Sequence, residues 1–191
     1  MRSDRRFSQA IAEGDGISLI ADVADAEAAR AAAAQGAEAL AVRGEVRDLR
    51  EVTELPVLWR AAGTPSEAAL AGADAWIVSV EEAGDDEEWL ARQHAEATEL
   101  GLDCVVAVRS EEELELALER LDPEIFLLAA EDGLGGALEL LADVPAGKLA
   151  VADVPVPSRE QVDELERAGV DAVIVGARNV AGLVGDEPPQ V

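Results

Sequence analysis

The sequence predicts an α/β fold, a (β/α)8 TIM-type barrel with shortened loops and a truncated last helix, on three observations. A junction recurs along the chain: a helix-like stretch ends at glycine, an apolar residue and an acid follow, and a short β-prone run begins. The β-prone runs are continuously apolar and alternate with helix-like segments, the pattern of a parallel sheet covered on both faces. No Gly-x-Gly-x-x-Gly turn follows the first run, which argues against an open doubly wound sheet.

The junction reads Gln35-Gly36-Ala37-Glu38 before residues 39–43, and Ala71-Gly72-Ala73-Asp74 before 75–80. It returns as Leu100-Gly101-Leu102-Asp103 before 104–108, and as Ala168-Gly169-Val170-Asp171 before 172–176. Glycine takes the left-handed conformation that closes a helix, and the apolar run after it is a buried strand. The last interval between these glycines is about twice the others, as in a chain of β/α units with one junction written differently. A first strand at 17–23 opens the series. Leu55-Pro56 leads into a strand at 57–60, Asp122-Pro123 into one at 124–129, and Ala146-Gly147-Lys148 into one at 149–153, which makes eight.

Residues 25–35 read as an alanine-rich helix capped by Asp25, and 86–99 and 110–121 carry apolar residues at helical spacing. Residues 158–168 open on a Ser158-Arg159-Glu160-Gln161 capping pattern. Between strands two and three, 44–55 leave room for a short helix only. After strand eight the last outer helix shrinks to about residues 179–184, ahead of a polar tail at 185–191. Strands one and eight must meet there without full cover, so an unclosed seven- or eight-stranded arrangement stays open as the alternative. The bare flank would expose apolar surface beside the first and seventh helices, and a homodimer through it is expected.

With 191 residues and 49% apolar content, the chain supports one core and one domain over 1–191, in which 1–16 lead into the barrel. Cys104 is the single cysteine, which excludes an intramolecular disulfide and a thiolate metal cluster; it reads as a small buried apolar residue. His94, the single histidine, reads as a solvated helix-face residue without a catalytic partner. Glu81, Glu82 and the acids of 85–88 read as solvated charge, so neither a metal nor another cofactor is implied. A net charge of −26 repels phosphate backbones and anionic membranes, which excludes nucleic acid and membrane surfaces as partners. No apolar run approaches the roughly 18 residues that cross a bilayer, and residues 1–6 lack the apolar stretch of a secretory signal. A cytoplasmic location is expected.

Several segments, in order, resemble indole-3-glycerol-phosphate synthase. Phe7-Ser8-Gln9-Ala10-Ile11-Ala12-Glu13, followed by Ile17-Ser18-Leu19-Ile20-Ala21-Asp22-Val23, is similar to that family's first helix and first strand. Residues 49–58 resemble its approach to strand three, Ala71-Gly72-Ala73-Asp74-Ala75 its strand four, and residues 99–104 its strand five. The closing run from Ala168 to Gly176 is similar to its strand eight. The resemblance covers nearly the whole chain and implies a barrel of tryptophan biosynthesis acting as a carbon–carbon lyase. The chemistry-bearing positions depart from it. Where the family writes Ala-Glu-Ile-Lys at the end of strand one, this chain has Ala21-Asp22-Val23-Ala24; where strand three ends Arg-Lys-Asp-Phe, it has Trp59-Arg60-Ala61-Ala62. Strand five's Val-Glu-Val-His becomes Val106-Ala107-Val108-Arg109, strand six's Asn-Asn-Arg-Asp becomes Ala129-Ala130-Glu131-Asp132, and strand seven's Ser-Glu-Ser-Gly becomes Ala152-Asp153-Val154-Pro155. Both lysines and the strand-five glutamate that the synthase reaction needs are thus missing, and arginine is too weak an acid to replace lysine as a proton donor near neutral pH.

Ligands of such barrels sit at the carboxyl ends of the strands. Those positions are Asp22, Arg43, Arg60, Arg109, Asp153 and Arg178, with Gly176 and Ala177 offering backbone N–H groups to a phosphate as the family's strand-eight glycine does. Arginines gathered there in an acidic chain point to a mouth that binds a phosphorylated or carboxylated metabolite. Two readings stand beside it. In one the arginines pair with Asp22, Asp153, Glu131 and Asp132 to hold the loops of a non-catalytic pseudoenzyme that acts by assembly with other proteins; in the other the chain is a still active synthase.

Overall fold

Eight parallel strands close into a barrel in sequence order, β1 to β8, and β8 pairs back onto β1. The strands are β1 Ser18–Val23, β2 Ala39–Val42, β3 Val57–Trp59, β4 Ala75–Ser79, β5 Asp103–Val108, β6 Ile125–Leu128, β7 Leu149–Ala152 and β8 Ala172–Gly176. The computed structural model describes residues 5–184 apart from 15, 45, 85 and 87, so the polar tail at 185–191 lies outside the described residues, as do two of the acids of 85–88. The closing pair is among the longest, running from Ser18 opposite Ala172 to Asp22 opposite Gly176. The unclosed alternative is therefore ruled out.

The helices are α1 Arg6–Ala12, α2 Ala26–Ala34, α3 Arg47–Arg50, α4 Pro65–Ala71, α5 Val80–Ala83, α6 Trp89–Glu99, α7 Glu111–Arg120, α8 Gly133–Asp143, α9 Arg159–Ala168 and α10 Val180–Leu183, the last preceded by a 3-10 turn at Ala177–Asn179. Asp25 caps α2 as expected, accepting the Ala28 N–H at 2.8 Å. Ser158 stands at the start of α9 but makes no side-chain cap, so the expected capping pattern is not formed there. A complete capping box occurs instead at α4, between Thr64 and Glu67. The shortened α10 still covers the β8–β1 seam. Val180 and Leu183 are buried beneath it, the Leu183 carbonyl accepts from Arg159, and Gln35 of α2 accepts the Ala181 N–H. Of the large apolar side chains on that flank only Val184 is exposed among the described residues.

The junction glycines have φ of 97° at Gly36, 87° at Gly72, 81° at Gly101 and 100° at Gly169, a region in which a Cβ is strained. The apolar residue after each then sends its N–H back over the last helical turn, as from Ala73 to the Ala68 carbonyl at 3.1 Å and from Val170 to Leu165 at 3.0 Å. The acid that follows opens the strand. Asp74 donates its N–H to the Val57 carbonyl at 3.0 Å while its carboxylate accepts the Val57 N–H at 2.8 Å. Asp171 holds Ala150 of β7 in the same double grip, at 2.9 and 2.7 Å.

Inside the barrel Ile20, Leu58, Val105, Leu127, Val151 and Ile174 interdigitate with the small Ala39, Ala41, Ala75 and Ala172, a packed core with no pore. Its base is stoppered by α1, whose Phe7 and Ile11 are buried in this cluster. The plug is pinned by Asp103, which accepts from the Ser8 backbone N–H at 2.9 Å and its hydroxyl at 3.1 Å, and by an Arg5–Glu124 ion pair. Alternate strand residues face outward into a second cluster shared with the helices, including Trp76, Phe126, Leu114 and Leu165.

Burial pushes the Asp103 carboxyl above the usual aspartate range, opposed by the two Ser8 hydrogen bonds and by Arg5. The folded chain holds that proton more readily than the unfolded one, so this contribution to stability is present below the ordinary pKa of about 3.9 and is lost as pH rises through the raised value. Asp103→Asn is expected to gain stability relative to the parent as pH rises across that window. Urea unfolding of both proteins at about pH 4 and about pH 7 checks it; an unchanged difference would show that the carboxyl does not titrate this way.

Candidate functional site

Side chains alternate along a strand, so a residue two beyond an interior position faces the barrel axis again. Two residues past Ile20, Ala41 and Leu58 come Asp22, Arg43 and Arg60; past Ile77 and Ala107 come Ser79 and Arg109. Past Leu127, Val151 and Ile174 come Ala129, Asp153 and Gly176. The strand pairing therefore brings these positions into one ring at the carboxyl ends. Within it lies a cavity of about 220 Å3, rimmed by Arg43, Arg60, Arg109 and Asp153 and floored by Ile77, Ala107 and Leu127.

Every guanidinium of the rim has a carboxylate. Arg60, 10% exposed at its side chain, pairs with Asp153 and lies 4.0 Å from Asp22. Arg43, 63% exposed, reaches Asp22 at 3.2 Å. Arg109 pairs with Glu81 just past β4 and lies 3.9 Å from Glu113 of α7, which also accepts the Arg109 N–H at 2.7 Å. The Trp59 indole N–H donates to the Gly44 carbonyl at 3.2 Å, joining the rim of β3 to that of β2. Glu131 and Asp132, expected as ion-pair partners of the mouth, instead line a groove of about 500 Å3 that adjoins it at Arg109.

Arg178 and Ala177 are not brought into this cavity. They line a separate recess of about 360 Å3 against α2, beside Asp25, Glu27 and Gln35. The strand ends at Gly176, and the 3-10 turn that follows carries the next two residues over the seam toward α2.

At the opposite end of the barrel, Lys148 donates to the Asp122 carbonyl at 3.3 Å and pairs with its carboxylate at 2.6 Å. His94 also lies at that end and is half-buried, so the solvated helix-face reading is corrected. The N-terminal segment packs across the base and places Arg5 over a recess of about 120 Å3 that His94 shares with Cys104, Asp103 and Glu124. Burial lowers the His94 pKa, with Glu124 opposing and Arg5 reinforcing the shift. Cys104 is buried as expected, and burial pushes its thiol up to about 12, leaving no reactive thiolate. Among the described residues no group of three or more His, Cys, Asp and Glu is arranged to hold a metal, and no helix is long and apolar enough to cross a membrane.

An indole-3-glycerol phosphate synthase from a Nocardioides strain is 35% identical to this chain over 187 residues, covering 86% of this chain and 68% of the relative. The chain belongs to the indole-3-glycerol phosphate synthase family. The Burkholderia vietnamiensis synthase agrees, at 32% identity with 85% of this chain and 68% of the relative covered. The Salinibacter ruber synthase is 34% identical over 119 residues, of which this chain spans only 42% of the relative's length. No protein-family model matches. A solved structure of a mutant tryptophan synthase alpha-subunit from Pyrococcus furiosus superposes with a TM-score of 0.66 at 17% identity, covering 85% of this chain and 88% of that one, a likeness of fold alone. The family's barrel is thus retained in a chain shorter than these synthases.

Removing the Arg60 guanidinium strands Asp153, which is only 26% exposed, whereas the Arg43–Asp22 pair is open to solvent. Arg60→Ala is expected to cost about 3 kcal/mol, the low end for breaking a buried pair, and Arg43→Ala under about 1 kcal/mol. Equal costs in urea unfolding would show that burial does not set the strength of these pairs.

Proposed function

We propose that this chain has left synthase chemistry and binds a small carboxylated or phosphorylated metabolite at the mouth of its barrel. One observation carries the reading: Arg43, Arg60 and Arg109 line a single cavity with an apolar floor, at the end where barrels of this type hold their ligands. Guanidinium forks match carboxylate and phosphate oxygens. Arg43 is solvent-exposed and its pair with Asp22 is worth about 0–1 kcal/mol, so a ligand's oxygens replace that carboxylate at little cost, while the Glu81 partner of the half-buried Arg109 is itself exposed. Arg60, held by Asp153, keeps the rim in place.

Synthase chemistry itself lacks support. Ring closure needs proton delivery to a carbonyl and removal of water, and Lys148, the only lysine in the sequence, sits at the base rather than the mouth. Asp153 is the one carboxyl that lines the cavity, and it is engaged by Arg60. Ala177 and Arg178 line a separate recess and take no part in this site.

A second reading, a non-catalytic barrel that works by protein–protein assembly, is favoured by the same ion pairs: with its arginines already neutralised, the mouth is complete without a ligand. A homodimer is one form of it.

A thermal-shift titration with phosphate, indole-3-glycerol phosphate and its carboxylated precursor separates the two. Stabilisation is expected that Arg43→Ala and Arg109→Ala each reduce at least about tenfold in apparent affinity and that Arg178→Ala leaves unchanged. No shift with any compound would leave assembly as the better account, to be followed by sedimentation of the full chain.

A further inference from the structure

Resting on the anion-binding reading of the mouth, we propose that its ligand is a compact apolar zwitterion of the α-amino acid class, not a simple anion. The charges of the ring are segregated around the barrel axis. Arg43, Arg60 and Arg109 come from β2, β3 and β5, whereas Asp153 and Asp22 come from β7 and β1, separated only by β8 and its Gly176. One arc is cationic and the facing arc anionic; Asp153 lines the cavity over the apolar floor of Ile77, Ala107 and Leu127, and Asp22 stands beside it in a recess that shares Arg43.

A carboxylate that takes up Arg43 draws it from Asp22, which then keeps only Arg60 at 4.0 Å in place of its 3.2 Å partner. An ammonium on the same ligand meets the stripped Asp22 and restores the balance, which a simple anion cannot do. Total charge favours the same ligand. The three guanidiniums face the carboxylates of Asp22, Asp153, Glu81 and Glu113, so the mouth holds no spare positive charge, and the whole chain carries −26. A dianion enters against that field; a zwitterion adds no net charge to it. The cavity, at about 220 Å3, is smaller than the roughly 300 Å3 at which pockets for drug-sized ligands begin. That restricts the ligand to a short body, and the floor asks for an apolar one.

The test is calorimetry on the unmodified protein at low salt with L-leucine, 4-methylpentanoate, which lacks the ammonium, isopentylamine, which lacks the carboxylate, and inorganic phosphate. L-Leucine is expected to bind at least about tenfold more tightly than either analogue. Asp22→Asn is expected to abolish the preference for L-leucine over 4-methylpentanoate while carboxylate binding persists. If 4-methylpentanoate matches L-leucine, or phosphate binds and L-leucine does not, the zwitterion is wrong and the anion-binding reading survives. Equal binding by isopentylamine also overturns the zwitterion, as does silence from all four ligands, and the titration with indole-3-glycerol phosphate and its precursor then decides the anion-binding reading. The ligand comparison needs no variant, so misfolding of Asp22→Asn would not obscure it.

Discussion

In a parallel barrel every strand begins at the base, where its first backbone groups have no partner until the neighbouring strand is fixed beside them. Two of the junction acids supply that partner twice, once through their own N–H and once through the carboxylate: Asp74 for Val57 and Asp171 for Ala150. This clamp sets the register of β3 against β4 and of β7 against β8. Register then travels upward in steps of two residues, and a slip of one would turn Arg60 and Asp153 away from the axis and bring their apolar neighbours in. The ring at the mouth thus depends on hydrogen bonds at the far end of the strands.

The two ends use charge differently. At the base Arg50 donates to the Leu55 and Gly72 carbonyls and pairs with Asp74, and the double grip of Asp74 on β3 is held in turn. Arg6 reaches the same aspartate from the plug helix at 3.4 Å. These contacts tie backbone to backbone and leave little for a ligand. At the mouth the arginines meet side-chain carboxylates, and Arg43 is exposed. The base contacts thus hold strand to strand, whereas the contacts at the mouth join side chain to side chain.

Much of the scaffold was legible because the junction has one physical meaning wherever it occurs: glycine at positive φ, a returning N–H, then a strand start. Four of the eight strands follow from it, and the others from Leu55-Pro56, Asp122-Pro123, Ala146-Gly147-Lys148 and the apolar run at 17–23. Reading Ser158 as a capping pattern failed because a capping motif needs the side chain to turn back onto the helix, which composition does not report. His94 was read from its own helix, and only the fold reveals that Arg5 and Cys104 close over it. The inward facing of Arg43, Arg60, Arg109 and Asp153 follows from period-two alternation, so those residues could be chosen from sequence. Their partners could not: Glu81 and Glu113 come from α5 and α7, whose approach to Arg109 is a tertiary fact, and Arg178 leaves the ring because the turn after β8 bends over the seam.

The connections above the mouth are very short: Ala24 and Asp25 alone link β1 to α2, Arg109 and Ser110 alone link β5 to α7, and β4 runs straight into α5. The connection between β3 and α4 has five residues, 60–64, and that between β7 and α9 has six, 153–158. Enzymes that handle water-sensitive intermediates commonly enclose them beneath a closing loop, and opening that loop often limits turnover. A ligand of the class proposed would meet bulk water past the β1–α2, β4–α5 and β5–α7 connections throughout its stay.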